Sequence, residues 1–123
     1  MNIFVIIVIM SGYASQYDPG VMERVIAVQQ RWGHLPQNVE GYDGYVAVAD
    51  CRRIGQTLWA RPEGDEKWER FLVTDCAGSP ETILWMQRGV PIEVDHLTAR
   101  RWKTVGRGIR VEIGRRIRQR WME

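Results

Sequence analysis

A chain of 123 residues, 45% hydrophobic and 26% charged, has the make-up of one folded domain around one core and is too short for two. Lys and Arg together number 17 against 15 Asp and Glu, a net charge of +2 that is too mild to mark a specific nucleic-acid partner. The sequence begins MNIFVIIVIMSGYAS, and Ile3 to Met10 is unbroken apolar sequence. That run is far short of the ~20 residues a membrane-spanning helix needs. It meets the lower bound of about 7 for the apolar core of a secretory signal, and Gly12 and Ala14 supply small residues for cleavage. Residues 1–11 are therefore read as a short export signal lacking the usual basic start, with a buried first strand as the alternative.

Asp18-Pro19-Gly20 is a turn signal. Val21, Met22, Val25, Ile26 and Val28 recur at helical spacing and predict a short helix that stops at Gly33 and Pro36. A polar loop follows. Residues 45–50 (YVAVAD) and 56–62 (QTLWARP) alternate as strands, and EGDEK forms a hairpin loop before WERFLVTD at 68–75. Trp59 and Trp68 flank that loop as candidate cross-strand partners. SPETILWMQRG at 79–89 reads as a helix, with Ser79 as cap and Pro80 in the first turn. VPIEVD is a strand, HLTARRWKTVG a short helix ended by Gly106, and GIRVEIG a last strand. About six short strands without regular βα alternation predict a closed barrel, with Val46, Val48, Leu58, Leu72, Ile92, Val94, Ile109 and Val111 in its core. Residues 115–123 are read as a basic C-terminal tail. Arg115, Arg116, Arg118 and Arg120 make it a solvated face or a peripheral contact for an anionic polymer or membrane surface.

Two apolar runs end in the same dipeptide, Asp50-Cys51 and Asp75-Cys76. His34 and His96 stand at no zinc-ligand spacing from these cysteines, so no metal is expected, and nothing in the chain asks for a cofactor. The thiols form one disulfide or stay inert. Export would favour the bridge, which persists in an oxidising compartment and would contribute roughly 3 kcal/mol by closing its loop.

The succession GYASQYDPG, VAVADCRRIGQTLWA, FLVTDCAG, IEVDHLTARRW and GRGIRVEI resembles the double-psi β-barrel superfamily. Its members include expansins, barwin, rare-lipoprotein-A-like proteins and the three-aspartate domain of lytic transglycosylases. Gly12, Ala14, Ser15 and Tyr17 carry the first-strand pattern, Asp50 and Asp75 stand at strand ends, and Asp95 precedes the final helix. The glutamate–histidine segment of the rare-lipoprotein-A-like members is absent, and AVADCRRIG stands in its place. The resemblance implies an all-β fold, a six-stranded double-psi β-barrel over residues 12–114 with short connecting helices. Its strand crossings would set Asp50, Asp75 and Asp95 at a surface groove and Cys51 within bridging reach of Cys76.

The function that follows is a secreted or cell-envelope protein, a monomer, binding cell-wall polysaccharide such as peptidoglycan. Asp75 and Asp95 are the candidate catalytic pair. Two carboxylates about 4–6 Å apart raise one pKa, as an acid that protonates a glycosidic oxygen requires. Ser15, Tyr17, Tyr45 and Asp50 are candidates for substrate binding. One alternative is a lytic transglycosylase with an aspartate as general acid/base. Another is a barwin-like module whose partner is a protein or an anionic polymer. Each aspartate also has a plainer role open to it, capping a turn or helix through backbone N–H groups.

Overall fold

The side chains of Val46, Val48, Val73, Val94 and Val111 come from four different strands, and all are buried in one cluster with Phe71 and Ile92. The computed structural model describes residues 2–77, 84 and 89–120. Its strands are β1 (Asn2–Gln16), β2 (Gly44–Val48), β3 (Thr57–Pro62), β4 (Glu69–Cys76), β5 (Ile92–Val94) and β6 (Ile109–Arg120). They close into a ring in the order β1-β5-β2-β4-β3-β6. Two pairs are parallel, β1 with β5 and β2 with β4, and the other four are antiparallel. The two-residue period turns one face inward, and of the expected core residues Val46, Val48, Leu58, Ile92, Val94 and Val111 are buried in the cluster and Ile109 packs against it half-buried, while Leu72 is buried outside that cluster. Closure satisfies strand edges that would otherwise stand open.

Two α-helices lie among the described residues, α1 (Val21–Arg31) and α2 (His96–Arg101). A single 3-10 turn, Cys51–Arg53, follows β2 where the sequence changes from apolar to charged. The predicted helix at 79–89, with Ser79, Pro80 and Trp85, falls outside the described residues apart from Leu84 and Gly89. The β3–β4 hairpin forms as expected, but its tryptophans are not partners. Trp59 stands across from Arg70, and Trp68 instead lies under the Arg61 guanidinium, 4.0 Å from its centroid. Trp102, just past α2, packs edge-on to Phe71, with ring centroids 5.7 Å apart.

The described parts of both chain ends lie in strands. Residues 2–11 are continuous with the first barrel strand, and Arg115 to Arg120 make the second half of β6. The two run antiparallel in one register from Asn2↔Arg120 to Val8↔Gly114, then slip by one residue at Ile9 before continuing into the barrel. A strand of β-branched residues finds in the RRIRQR segment a hydrogen-bonding partner for its backbone.

Candidate functional site

Tyr17 sits just past the end of β1, fixed there by its N–H donating to the Val94 carbonyl at 2.8 Å. Its hydroxyl donates to Asp75 Oδ2 at 2.5 Å. Asp75 is the next-to-last residue of β4, paired across from Ala47 of β2, so the residues of two distant sequence motifs meet at one end of the barrel. Cys76 follows and is bonded to Cys51, with Cα atoms 4.9 Å apart, inside the expected 4.4–6.8 Å. The bridge ties the Cys51–Arg53 turn to the end of β4 beside the Asp75 carboxylate.

Helix α1 forms the facing wall. Met22 is buried beneath it and accepts a hydrogen bond from Thr74 Oγ1 at 3.0 Å, which anchors the helix on β4. The helix ends at Trp32, and Gly33 takes the left-handed conformation, φ 78°, that an L side chain adopts only under strain. The reversed chain brings the His34 and Leu35 N–H groups back to the Gln29 carbonyl. His34 Nδ1 lies 2.7 Å from Gln29 Oε1, and its ring meets Trp32 edge-on with centroids 6.1 Å apart. Between helix and barrel is a cavity of about 510 Å³ lined by Gln29, Trp32, His34, Ile54, Asp75 and the disulfide. A second hollow of about 330 Å³, lined by Val21, Val25, Val28 and Trp32, shares Gln29 and Asp75 with it. Together they make one groove along α1. Trp32 is 66% exposed, an indole that covers no core.

Of the expected site residues, Tyr17 and Asp75 come together and the others stand elsewhere. Asp95 is buried at 5% exposure and caps α2. Its Oδ1 accepts from the Thr98 hydroxyl at 2.6 Å and the Tyr45 N–H at 3.0 Å, and its Oδ2 accepts from the Thr98 N–H at 3.2 Å. It follows β5 whereas Asp75 ends β4, and β2 lies between those strands. Strands flanking a third are ~10 Å apart, beyond the separation at which two carboxylates share a proton. The paired-aspartate arrangement therefore does not form, because the Thr98 N–H and hydroxyl at the start of α2 and the Tyr45 N–H of β2 claim Asp95. Tyr45 accompanies it. The Tyr45 hydroxyl donates to the Val39 carbonyl at 2.7 Å, and burial, then the Asp95 charge, push its pKa up.

Asp50 caps the Cys51–Arg53 turn through the Arg52 N–H at 2.9 Å, and the Arg52 guanidinium bonds both its oxygens. Those hydrogen bonds hold its carboxyl below the usual range, and it does not line the groove. Ser15 lies opposite Glu93 on β1 and lines a separate hollow with Tyr13, Gln16 and Arg107.

Trp32, Gln29 and His34 were not singled out from sequence. Val21, Val25, Val28 and Trp32 recur at spacings of four, three and four, the pattern of a core-facing stripe. In the fold that stripe lines the groove, while Met22 and Gln29 are the buried residues of the helix. The one usable signal was Trp32 itself, a large apolar residue set directly before a helix-ending glycine. No protein-family model, curated protein or solved structure matches this chain.

Proposed function

We propose that this chain is an extracytoplasmic barrel of the double-psi type that binds cell-wall polysaccharide in the α1–β4 groove without cleaving it. The observation that carries the reading is the exposed Trp32 indole beside the Tyr17–Asp75 pair in an open cavity of about 510 Å³. A pyranose ring offers an apolar C–H face and a rim of hydroxyls. A flat indole suits the first, and a carboxylate, an amide and an imidazole suit the second. The barrel type is supported by two parallel strand pairs within a six-stranded ring and by the family-like placing of Tyr17 and Asp75. Export is supported by the Cys51–Cys76 bridge, which survives in an oxidising compartment. No helix among the described residues is long and apolar enough to cross a membrane. Among the described residues Asp75 is the one carboxylate lining the cavity, which disfavours a glycosidase of the two-carboxylate kind and leaves a single-aspartate transglycosylase as the reading the test must separate from binding.

Retention on insoluble peptidoglycan is the test. Wild-type protein is expected to sediment with purified cell walls and release no soluble fragments. Trp32→Ala and Asp75→Asn are each expected to weaken retention about tenfold, one well-made contact being worth ~1.4 kcal/mol. Soluble muropeptides released by wild type and abolished in Asp75→Asn would replace binding with transglycosylase chemistry. Retention unchanged in both variants would remove the groove from the reading.

A further inference from the structure

We propose that the β1–β6 ribbon, with the arginine-lined hollow at its base, is a docking surface for an anionic phospholipid bilayer. This goes beyond the glycan reading, since none of the residues lining the hollow lines the α1 groove. The hollow has a volume of about 400 Å³ and is lined by Ile9, Arg53, Thr57, Trp59, Arg115 and Arg116, among others. Three arginines line it, and among the described residues none of them is paired with a carboxylate. The ion pairs are Arg52–Asp50, Arg61–Glu112, Arg101–Glu69 and Arg110–Glu63. Asp50, which also feels the Arg53 charge, is already engaged by Arg52. A hollow of this size with guanidiniums that no carboxylate neutralises, a hydroxyl and an indole is chemically matched to a phosphate with an organic group attached.

The second observation is the apolar strip leading out of it. Phe4, Ile7, Val8, Ile9 and Met10 are 43–55% exposed, and Ile9 both sits at the register slip and lines the hollow. Successive side chains of a strand alternate in direction, so these residues leave both faces of the two-stranded ribbon apolar and exposed, as a segment that enters another apolar phase would be. The choice of phase rests on charge. From Asn2 to Gln16 β1 carries no charged side chain, and it is paired with a strand bearing Arg115, Arg116 and Arg118. The Arg116 guanidinium lies 3.9 Å from the Phe4 ring centroid, so cation and apolar face are presented together. Phosphate headgroups over hydrocarbon match this combination, with arginines at the headgroup level and aliphatic side chains at the acyl boundary. A second copy of this ribbon would bring arginines against arginines unless pairing were confined to β1.

Co-sedimentation with vesicles tests the surface using the full chain. With phosphatidylglycerol and phosphatidylcholine in equal parts the protein is expected to sediment, and with phosphatidylcholine alone to bind at least about 25-fold more weakly, about fivefold for each of two arginines. Arg115→Glu with Arg116→Glu is expected to abolish the preference. Ile9→Ser with Met10→Ser is expected to weaken binding about tenfold with an unchanged near-ultraviolet circular dichroism spectrum, both positions being exposed. Trp32→Ala is expected to leave vesicle binding as it is, which separates this surface from the glycan groove. Three results would overturn the proposal. One is equal binding to neutral and anionic vesicles or to none. Another is release of bound protein by inorganic phosphate at matched ionic strength, which would make the hollow a small-anion site. The last is a lipid-free dimer, by analytical ultracentrifugation, that the Ile9 and Met10 substitutions dissociate.

Discussion

Three donors converge on Asp95, and the space around it is filled so closely that its neighbour must be glycine. A Cβ on Gly44 would lie 2.3 Å from Thr98 Oγ1 and 2.8 Å from Asp95 Oδ1, too close for either to remain. The carboxylate joins the start of β2 to the start of α2, so removing it breaks more than a cap. Asp95→Ala forfeits the cap, about 0.5–2 kcal/mol, and leaves the Tyr45 N–H without its acceptor, about 1–3 kcal/mol. A loss of about 3 kcal/mol in urea unfolding is expected. Asp75→Asn keeps the shape of a half-exposed side chain and is expected to change stability by less than about 1 kcal/mol. Equal losses in the two variants would mean that the two aspartates do not divide into a structural and a surface role.

The groove is built by elements that must be held against one another, and the disulfide is the tie on one side. Cys51 and Cys76 are separated by 25 positions, and closing that loop contributes roughly 3 kcal/mol on the chain-entropy account. Cys51→Ser with Cys76→Ser is expected to lower the unfolding free energy by about that amount and to weaken glycan retention by releasing the turn beside Asp75. A loss below about 1 kcal/mol would show the turn to be fixed by Asp50 and Arg52 alone. At this scale, too, the limits of the sequence can be traced. Strand alternation in QTLWA and IEV was legible because the two-residue period separates core from surface in a closed sheet, whereas FLVT and VAV were legible only as apolar runs, being buried on both faces. The helix α1 was legible as a helix, but its function was not. A helix with two apolar sides gives the same spacing whether the wider side faces core or groove. Asp95 was misplaced for a related reason: an aspartate before a helix is as common in caps as in sites. The pairing of residues 2–8 with 114–120 could not be read at all, since nothing local in either segment names a partner more than a hundred residues away.

Across the whole molecule, the ring and the ribbon differ in how many neighbours support each strand. β2 is hydrogen-bonded on both edges, to β4 and β5, and Val46, Val73 and Val94 are fully buried. The outer halves of β1 and β6 hold only each other among the described residues, because β5 meets β1 no earlier than Ala14 and β3 leaves β6 at Gly114. Opening the outer ribbon exposes little that is not already half in water, whereas opening β2 dismantles the core. Native-state hydrogen exchange should therefore fall into two classes. Amides of Val46, Val73 and Val94 are expected to exchange only through global unfolding, and those of Phe4 to Val8 and Arg115 to Arg118 through local opening at least ~2 kcal/mol less costly. Anionic vesicles are expected to slow the second class and leave the first unchanged, because lipid bound to the ribbon stabilises the paired form alone. One protection level for both regions would mean that barrel and ribbon unfold as a unit, and a ribbon so coupled would carry any lipid-linked gain in protection into the core amides as well.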